Sequence, residues 1–262
     1  MHSYEVFTQY ERNHWQLKDI DFTRVRKDLV RPEHVTMAKS GVMGESNVIA
    51  AVHGFLNEFV DDYDFSTFAV VWGYQEVQHH YAFKTWLDAV GEQVDDAPVE
   101  AMREPYAPGT TPSATLATNI ISELTVNHVY RRVAAAVDEP VLKDILLRAS
   151  RDEAGHAREF IHYCRSRLAK RPEEIPSVLE TLYVYTSDAK IKHPVSMFKS
   201  SLTELGDHET IDTGFELFLE QVADEGELQE LQAKIRRVFG QLVGQDVTTN
   251  GRVRRALAEA LA

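Results

Sequence analysis

One cysteine, Cys164, occurs in 262 residues. An internal disulfide, a thiolate-held iron–sulfur cluster and a structural zinc ribbon are therefore excluded. Basic charge is also scarce: 28 Lys and Arg stand against 41 Asp and Glu, a formal charge of −13. No nucleic-acid partner is expected from that balance, because phosphate binding needs a basic face. No apolar run approaches the ~18 residues of a membrane helix. The longest, such as Val48–Val52 and Phe68–Trp72, are core-sized, so no membrane association is expected. The first residues, MHSYEVFTQYERNHWQ, lack the charged start and apolar centre of a secretory signal, and a cytoplasmic location is expected. No glycine-rich dinucleotide fingerprint is visible. Period-two apolar runs bounded by Asn-Gly or Asp-Gly turns are missing too, which leaves little for a β-sheet.

Apolar residues instead recur at three- and four-residue intervals, the helical signature. Pro32–Val60 reads as one helix and Ser66–Val90 as a second, with Gly91 just past its end. Residues 93–114 contain four prolines and read as a long connection of the kind that joins the halves of a bundle. A third helix is expected over Ala114–Val137 and a fourth from about Pro140 to Ala169, with Pro140 suited to a first turn. Beyond Arg171-Pro172, the segment Pro176–Tyr185 reads as helix, Ile191–Pro194 as a turn and Val195–Leu205 as helix again. The stretch Phe215–Val243 is amphipathic, with alternating charge that marks a solvated outer face. With 44% hydrophobic residues, the chain can bury one large core. The expected fold is all-α: a single domain over 1–262, with a bundle core at about 32–170 and a helical extension at about 173–262.

The only internal repetition carries chemistry. Glu-x-x-His occurs at Glu76–His79 and again at Glu153–His156. Glu45 stands 31 positions before Glu76, and Glu123 stands 30 before Glu153. Residues three apart on a helix share a face about one turn apart, so each Glu and its His can reach one centre. The order E…ExxH…E…ExxH is how a four-helix bundle binds a carboxylate-bridged pair of iron or manganese ions. Hard carboxylate oxygens with one imidazole per metal suit those ions. Glu76 and Glu153 are the natural bridges; Glu45 pairs with His79 on one metal, and Glu123 with His156 on the other. His80 competes with His79, since Glu76 and His80 are also helical neighbours, but the matching spacing around His156 favours His79. Glu58, Asp61 and Asp62 compete with Glu45; they sit at an acidic helix end where solvated or capping roles are expected. Glu45 opens the apolar run Asn47–Val52 and is expected to point inward.

The surroundings of these residues resemble the soluble acyl-acyl-carrier-protein desaturases, within the ferritin-like diiron proteins. Trp15-Gln16-Leu17-Lys18-Asp19 looks like that family's Trp-Gln-x-x-Asp segment, and Trp72 stands where the family places a tryptophan ahead of its first ExxH. Asp152-Glu153 reproduces its Asp-Glu-x-x-His, and Ile191–Pro194 resembles a short Ile-x-x-Pro turn after the fourth helix. The match covers about residues 12–200. Plant-type members carry a threonine three residues after the third-helix Glu; here Val126 stands there, between Thr125 and Asn127. The resemblance implies a ferritin-like four-helix bundle with flanking helices, two iron ions (manganese as the alternative) and O₂ as co-substrate. By the same resemblance, Asp152 accepts a hydrogen bond from His79 and meets the indole of Trp15, giving electrons a route inward. Trp72 is read as a packing residue.

The activity so implied is an O₂-dependent diiron oxidase that introduces a double bond into a carrier-linked acyl chain. A diiron hydroxylase or N-oxygenase of specialised metabolism, acting on another small substrate, is the alternative. An iron-storing ferritin-like protein is a third reading, which the 22-residue connection and added C-terminal helices argue against. A metal-free helical interaction module is a fourth. An external electron donor such as a ferredoxin and a homodimeric assembly follow from the resemblance. An acidic acyl carrier protein would need a local basic patch on this acidic chain. Candidates are Arg131-Arg132, Lys143 with Arg148 and Arg151, and the group Arg165, Arg167, Lys170 and Arg171; Arg252, Arg254 and Arg255 are read as solvated.

Overall fold

The computed structural model describes residues 1–94, 108–187 and 225–261. The Ile191–Pro194 turn, the Val195–Leu205 helix, the first part of Phe215–Val243 and most of the 93–114 connection lie outside them. The described residues are helical, without a strand. In chain order they are α1 (His2–Asn13), α2 (Pro32–Ser46), α3 (Val48–Glu58), α4 (Tyr63–Val90), α5 (Pro112–Ala136), α6 (Pro140–Lys170), α7 (Ile175–Ser187), α8 (Glu225–Val243) and α9 (Asn250–Leu261). Short 3₁₀ turns at Leu17–Asp19, Phe22–Arg24 and Lys27–Leu29 join α1 to α2, and another at Pro172–Glu174 joins α6 to α7.

The helix expected over Pro32–Val60 is two helices, broken at Asn47. The Asn47 N–H donates to Gly44 O (3.2 Å) rather than to the carbonyl four residues back. That freed carbonyl, Met43 O, accepts the Ser46 hydroxyl at 2.7 Å. Local competition of this kind from serine explains the break, which no change in apolar periodicity announces. The second expected helix starts earlier than Ser66, at Tyr63, because the Asp62 carboxylate accepts the Phe65 N–H (3.0 Å) as its N-cap. It stops at Gly91, whose φ of +95° only glycine adopts without strain. Glu92 N–H closes back onto Leu87 O at 2.9 Å.

The chain forms two compact units. Among the described residues the first holds 1–94 and 129–152, and the second holds 108–128, 153–187 and 225–261. In the first, α2, α3 and α1 pack on α4. Phe55, Phe59, Phe65 and Phe68 form its aromatic core, with Trp72 against Phe55 at 5.4 Å between ring centroids. Gly73 lets α3 approach α4, since a Cβ there would lie 2.6 Å from Val52 Cγ2. Glu139 is fully buried and caps α6: its Oε2 accepts the Trp86 indole N–H and the Leu142 N–H, both at 2.7 Å. Its Oε1 accepts the Arg26 N–H (3.1 Å), so a buried charge is met by N–H donors and a helix N-terminus.

In the second unit, α7 packs on α9 and α8. Val178, Leu179, Leu182, Ile235, Phe239 and Val253 are its buried residues there. Arg236 donates to Asn250 Oδ1 (2.7 Å), and Asn250 Nδ2 donates to Thr186 O (3.1 Å), which ties the three helices together. No helix among the described residues is long and apolar enough to cross a membrane.

Candidate metal centre

In the first unit, α2 supplies Glu45 and α4 supplies Glu76 and His79, and all three are buried. The i, i+3 spacing on α4 brings His79 Nδ1 to 3.2 Å from Glu76 Oε2, and Glu45 Oε2 lies 3.8 Å from the same nitrogen. The other imidazole nitrogen, Nε2, is 3.0 Å from Asp152 Oδ2. A carboxylate partner at Nε2 fixes the proton there and leaves the Nδ1 lone pair aimed at the two glutamates. Asp152 Oδ2 also accepts the Trp15 indole N–H (2.7 Å) and lies 3.0 Å from His14 Nε2. The Trp15 ring lies parallel to His79, 5.6 Å from His14 and 6.1 Å from His79 between centroids. Gln78 Nε2 holds the Trp15 carbonyl (2.7 Å) and the Arg148 guanidinium lies 5.7 Å over the indole.

In the second unit, α5 supplies Glu123 and α6 supplies Glu153 and His156, again all buried. His156 Nδ1 lies 3.3 Å from Glu123 Oε2 and 3.4 Å from Glu153 Oε2. Each unit thus gathers two carboxylates and one imidazole, with ligand atoms within 4.8 Å of one another.

The electrostatics of both triads fit a cation. Burial, and next the charge of Glu76, push the Glu45 carboxyl up to about 7. Burial, and next the charge of Glu153, raise Glu123 well above its ordinary value. Gathering anions out of water is costly unless a positive charge compensates them, and a divalent ion amid two carboxylates and an imidazole does so. Asp152 behaves differently. Burial alone would raise it, but hydrogen bonds from His14 and His79, with their charge, hold it below the usual carboxylate range.

The competing residues sit elsewhere. Successive helical positions point about 100° apart, and His80 turns its Nδ1–H onto Val42 O of α2 at 3.0 Å. Asp62 caps α4, Asp61 is exposed and Glu58 is half-buried. Val126 is half-buried; the neighbouring Thr125 hydroxyl lies 2.8 Å from the Tyr185 hydroxyl and 2.7 Å from Ile121 O, and Asn127 accepts from Lys234 at 3.3 Å. Trp72 packs in the aromatic core. Two residues were not anticipated. The Tyr130 hydroxyl donates to Glu45 Oε1, and His14 joins Asp152. Tyr130 lies seven residues after Glu123, two turns along one face of α5, and His14 adjoins Trp15; those positions were the only sequence signals.

Of the proposed basic patches, Arg167 is engaged by Glu174 (2.7 and 2.8 Å) and Arg148 by Asp144 (2.9 Å). Arg151 and Arg165 are exposed, without an ion-pair partner among the described residues.

No protein-family model and no curated protein sequence matches the chain. A solved structure does: the X-ray structure of the protein provisionally named acyl-ACP desaturase DesA2 from Mycobacterium tuberculosis H37Rv. It is 16% identical, with a TM-score of 0.58 over 94% of this chain and 93% of that one. That likeness establishes the fold: the chain has the all-α, ferritin-like architecture.

Proposed function

We propose that the chain is an O₂-dependent diiron oxidase acting as a desaturase on a carrier-linked acyl chain. The carrying observation is the pair of buried Glu/Glu/His triads, one with its histidine tied through Asp152 to a partly exposed tryptophan. In this reading Glu45, Glu76 and His79 would hold one iron ion, and Glu123, Glu153 and His156 the other. When bound, the metal pair supplies reductive O₂ activation, which no side chain offers. The protein's share is to hold the ligands, exclude water and fix protons. Asp152 keeps the His79 proton on Nε2, so that Nδ1 stays available as a ligand. Trp15, stacked on His79 and bonded to Asp152, carries electrons inward from an external donor such as a ferredoxin. Desaturation balances with one O₂, two electrons and two protons taken up, two hydrogens removed from the chain and two waters formed.

The name of the M. tuberculosis neighbour supports the acyl-ACP substrate class. An acidic carrier is accommodated, on a chain of −13, by the solvent face of α6, where exposed Arg151, Arg158 and Arg165 recur every seven residues. The test is anaerobic Fe(II) loading followed by O₂, reductant and acyl-carrier substrates, with mass spectrometry of the product. Loss of two hydrogen atoms is expected. A gain of one oxygen would instead assign a hydroxylase, and uptake of less than one iron per chain would remove the oxidase reading altogether.

A further inference from the structure

Three N–H donors converge on one oxygen. Asp152 Oδ2 is 2.7 Å from Trp15 Nε1, 3.0 Å from His79 Nε2 and 3.0 Å from His14 Nε2. A carboxylate oxygen offers two lone-pair directions, so the three donors share its capacity. His14 is built into this place. It stands directly after α1, where its backbone N–H caps Tyr10 O at 2.9 Å. Its ring is set between Tyr10, edge-on at 5.6 Å, and Trp15, stacked at 5.6 Å, and its side chain is only 9% exposed. Neither the doubled Glu-x-x-His nor the Trp-Gln-x-x-Asp segment requires a histidine there.

We propose that His14 is a positioning residue that limits how strongly Asp152 draws on the His79 N–H, and so sets the donor strength of His79 Nδ1. The inference rests on the reading of His79 as a metal ligand. A carboxylate that accepts from His79 alone pulls its Nε2 proton, pushes electron density to Nδ1 and favours the oxidised metal. Each further donor on the same oxygen weakens that pull. Trp15 is one such donor and is held in place by Gln78 and Arg148. His14 is the second, on the residue just before Trp15.

The test compares the wild type with His14→Phe, which keeps the ring stack and removes the donor, and His14→Gln, whose amide N–H can stand where Nε2–H stood. In metal-free protein with isotope-labelled histidine, the His79 Nε2–H proton resonance is expected to move downfield in His14→Phe and to return to the wild-type position in His14→Gln. In the iron-loaded protein the reduction potential is expected to fall in His14→Phe and to be restored in His14→Gln. Unchanged His79 resonance and potential in His14→Phe would overturn the proposal, as would a His14→Gln variant that behaves like His14→Phe. Should His14→Phe not fold, the wild-type spectrum decides: His14 must carry its proton on Nε2, and an Nδ1–H tautomer sinks the idea. Because the resonance is read without metal, failed iron uptake overturns the oxidase reading while leaving this measurement intact. An absent shift in a protein that takes up iron overturns the role of His14 alone.

Discussion

Replacing Glu45 by glutamine in the metal-free protein should make it more stable at mildly alkaline pH. In the folded chain burial, and then the charge of Glu76, raise this carboxyl from 4.5 to about 7. The unfolded chain titrates near 4.5, so at higher pH folding must either protonate Glu45 or bury an unmatched charge. The raised value fixes the sign. The contribution is fully present below about pH 4.5 and is lost as pH rises through about 7. At ~1.4 kcal/mol per pH unit, the rise from 4.5 to about 7 amounts to about 3 kcal/mol. Glu123 acts in the same direction. Asp152, held low, contributes stability that is lost only in acid, below the window used. Urea unfolding in chelator, followed by circular dichroism from about pH 5 to about pH 8, measures the effect. The wild type should lose stability across that range. Glu45→Gln keeps an oxygen for the Tyr130 hydroxyl and should gain about 3 kcal/mol over the wild type at the upper end. A wild-type profile that is flat or rising, together with no gain in Glu45→Gln, would refute the reasoning.

Four further outcomes are expected. Glu153→Ala and His156→Ala should abolish metal binding and activity while helical circular dichroism survives; undiminished iron stoichiometry in both would defeat the ligand assignment. Trp15→Phe removes the indole donor to Asp152 and should slow reduction of the loaded protein without lowering its metal content, which stopped-flow reduction and metal analysis check together. Gly73→Ala forces a methyl to within 2.6 Å of the stiff Val52 side chain and should cost about 1–3 kcal/mol in denaturant unfolding. Arg151→Glu with Arg165→Glu should raise KM for a carrier-linked substrate several-fold, most at low ionic strength, with folding unchanged. A KM that ignores salt and charge would move docking off this face.

The Glu and His residues gathered in the two triads were legible because their spacing is local. Glu-x-x-His needs only 3.6-residue periodicity to put both side chains on one face, and Glu45 betrayed itself by opening an apolar run. The caps were legible for the same reason: Pro140 stands in the first turn of α6 and Gly91 just past α4. The break at Asn47 was not, because it turns on a hydroxyl-to-carbonyl bond within a helix that otherwise keeps its pattern.

Periodicity and spacing were enough for an all-α chain and two Glu-Glu-His sets in bundle order, while the Asp and the Trp beside one histidine came from the family resemblance. How partners far apart in sequence meet depended instead on the packing of the chain. His80 turns away from the Glu45, Glu76 and His79 triad because α2 offers it the Val42 carbonyl, 38 residues away. Tyr130 finds Glu45 across 85 residues, and His14 finds Asp152 across 138. No periodicity encodes such pairings. They follow from how distant stretches of the first unit close on one another and bury these groups, which makes each donor seek an acceptor.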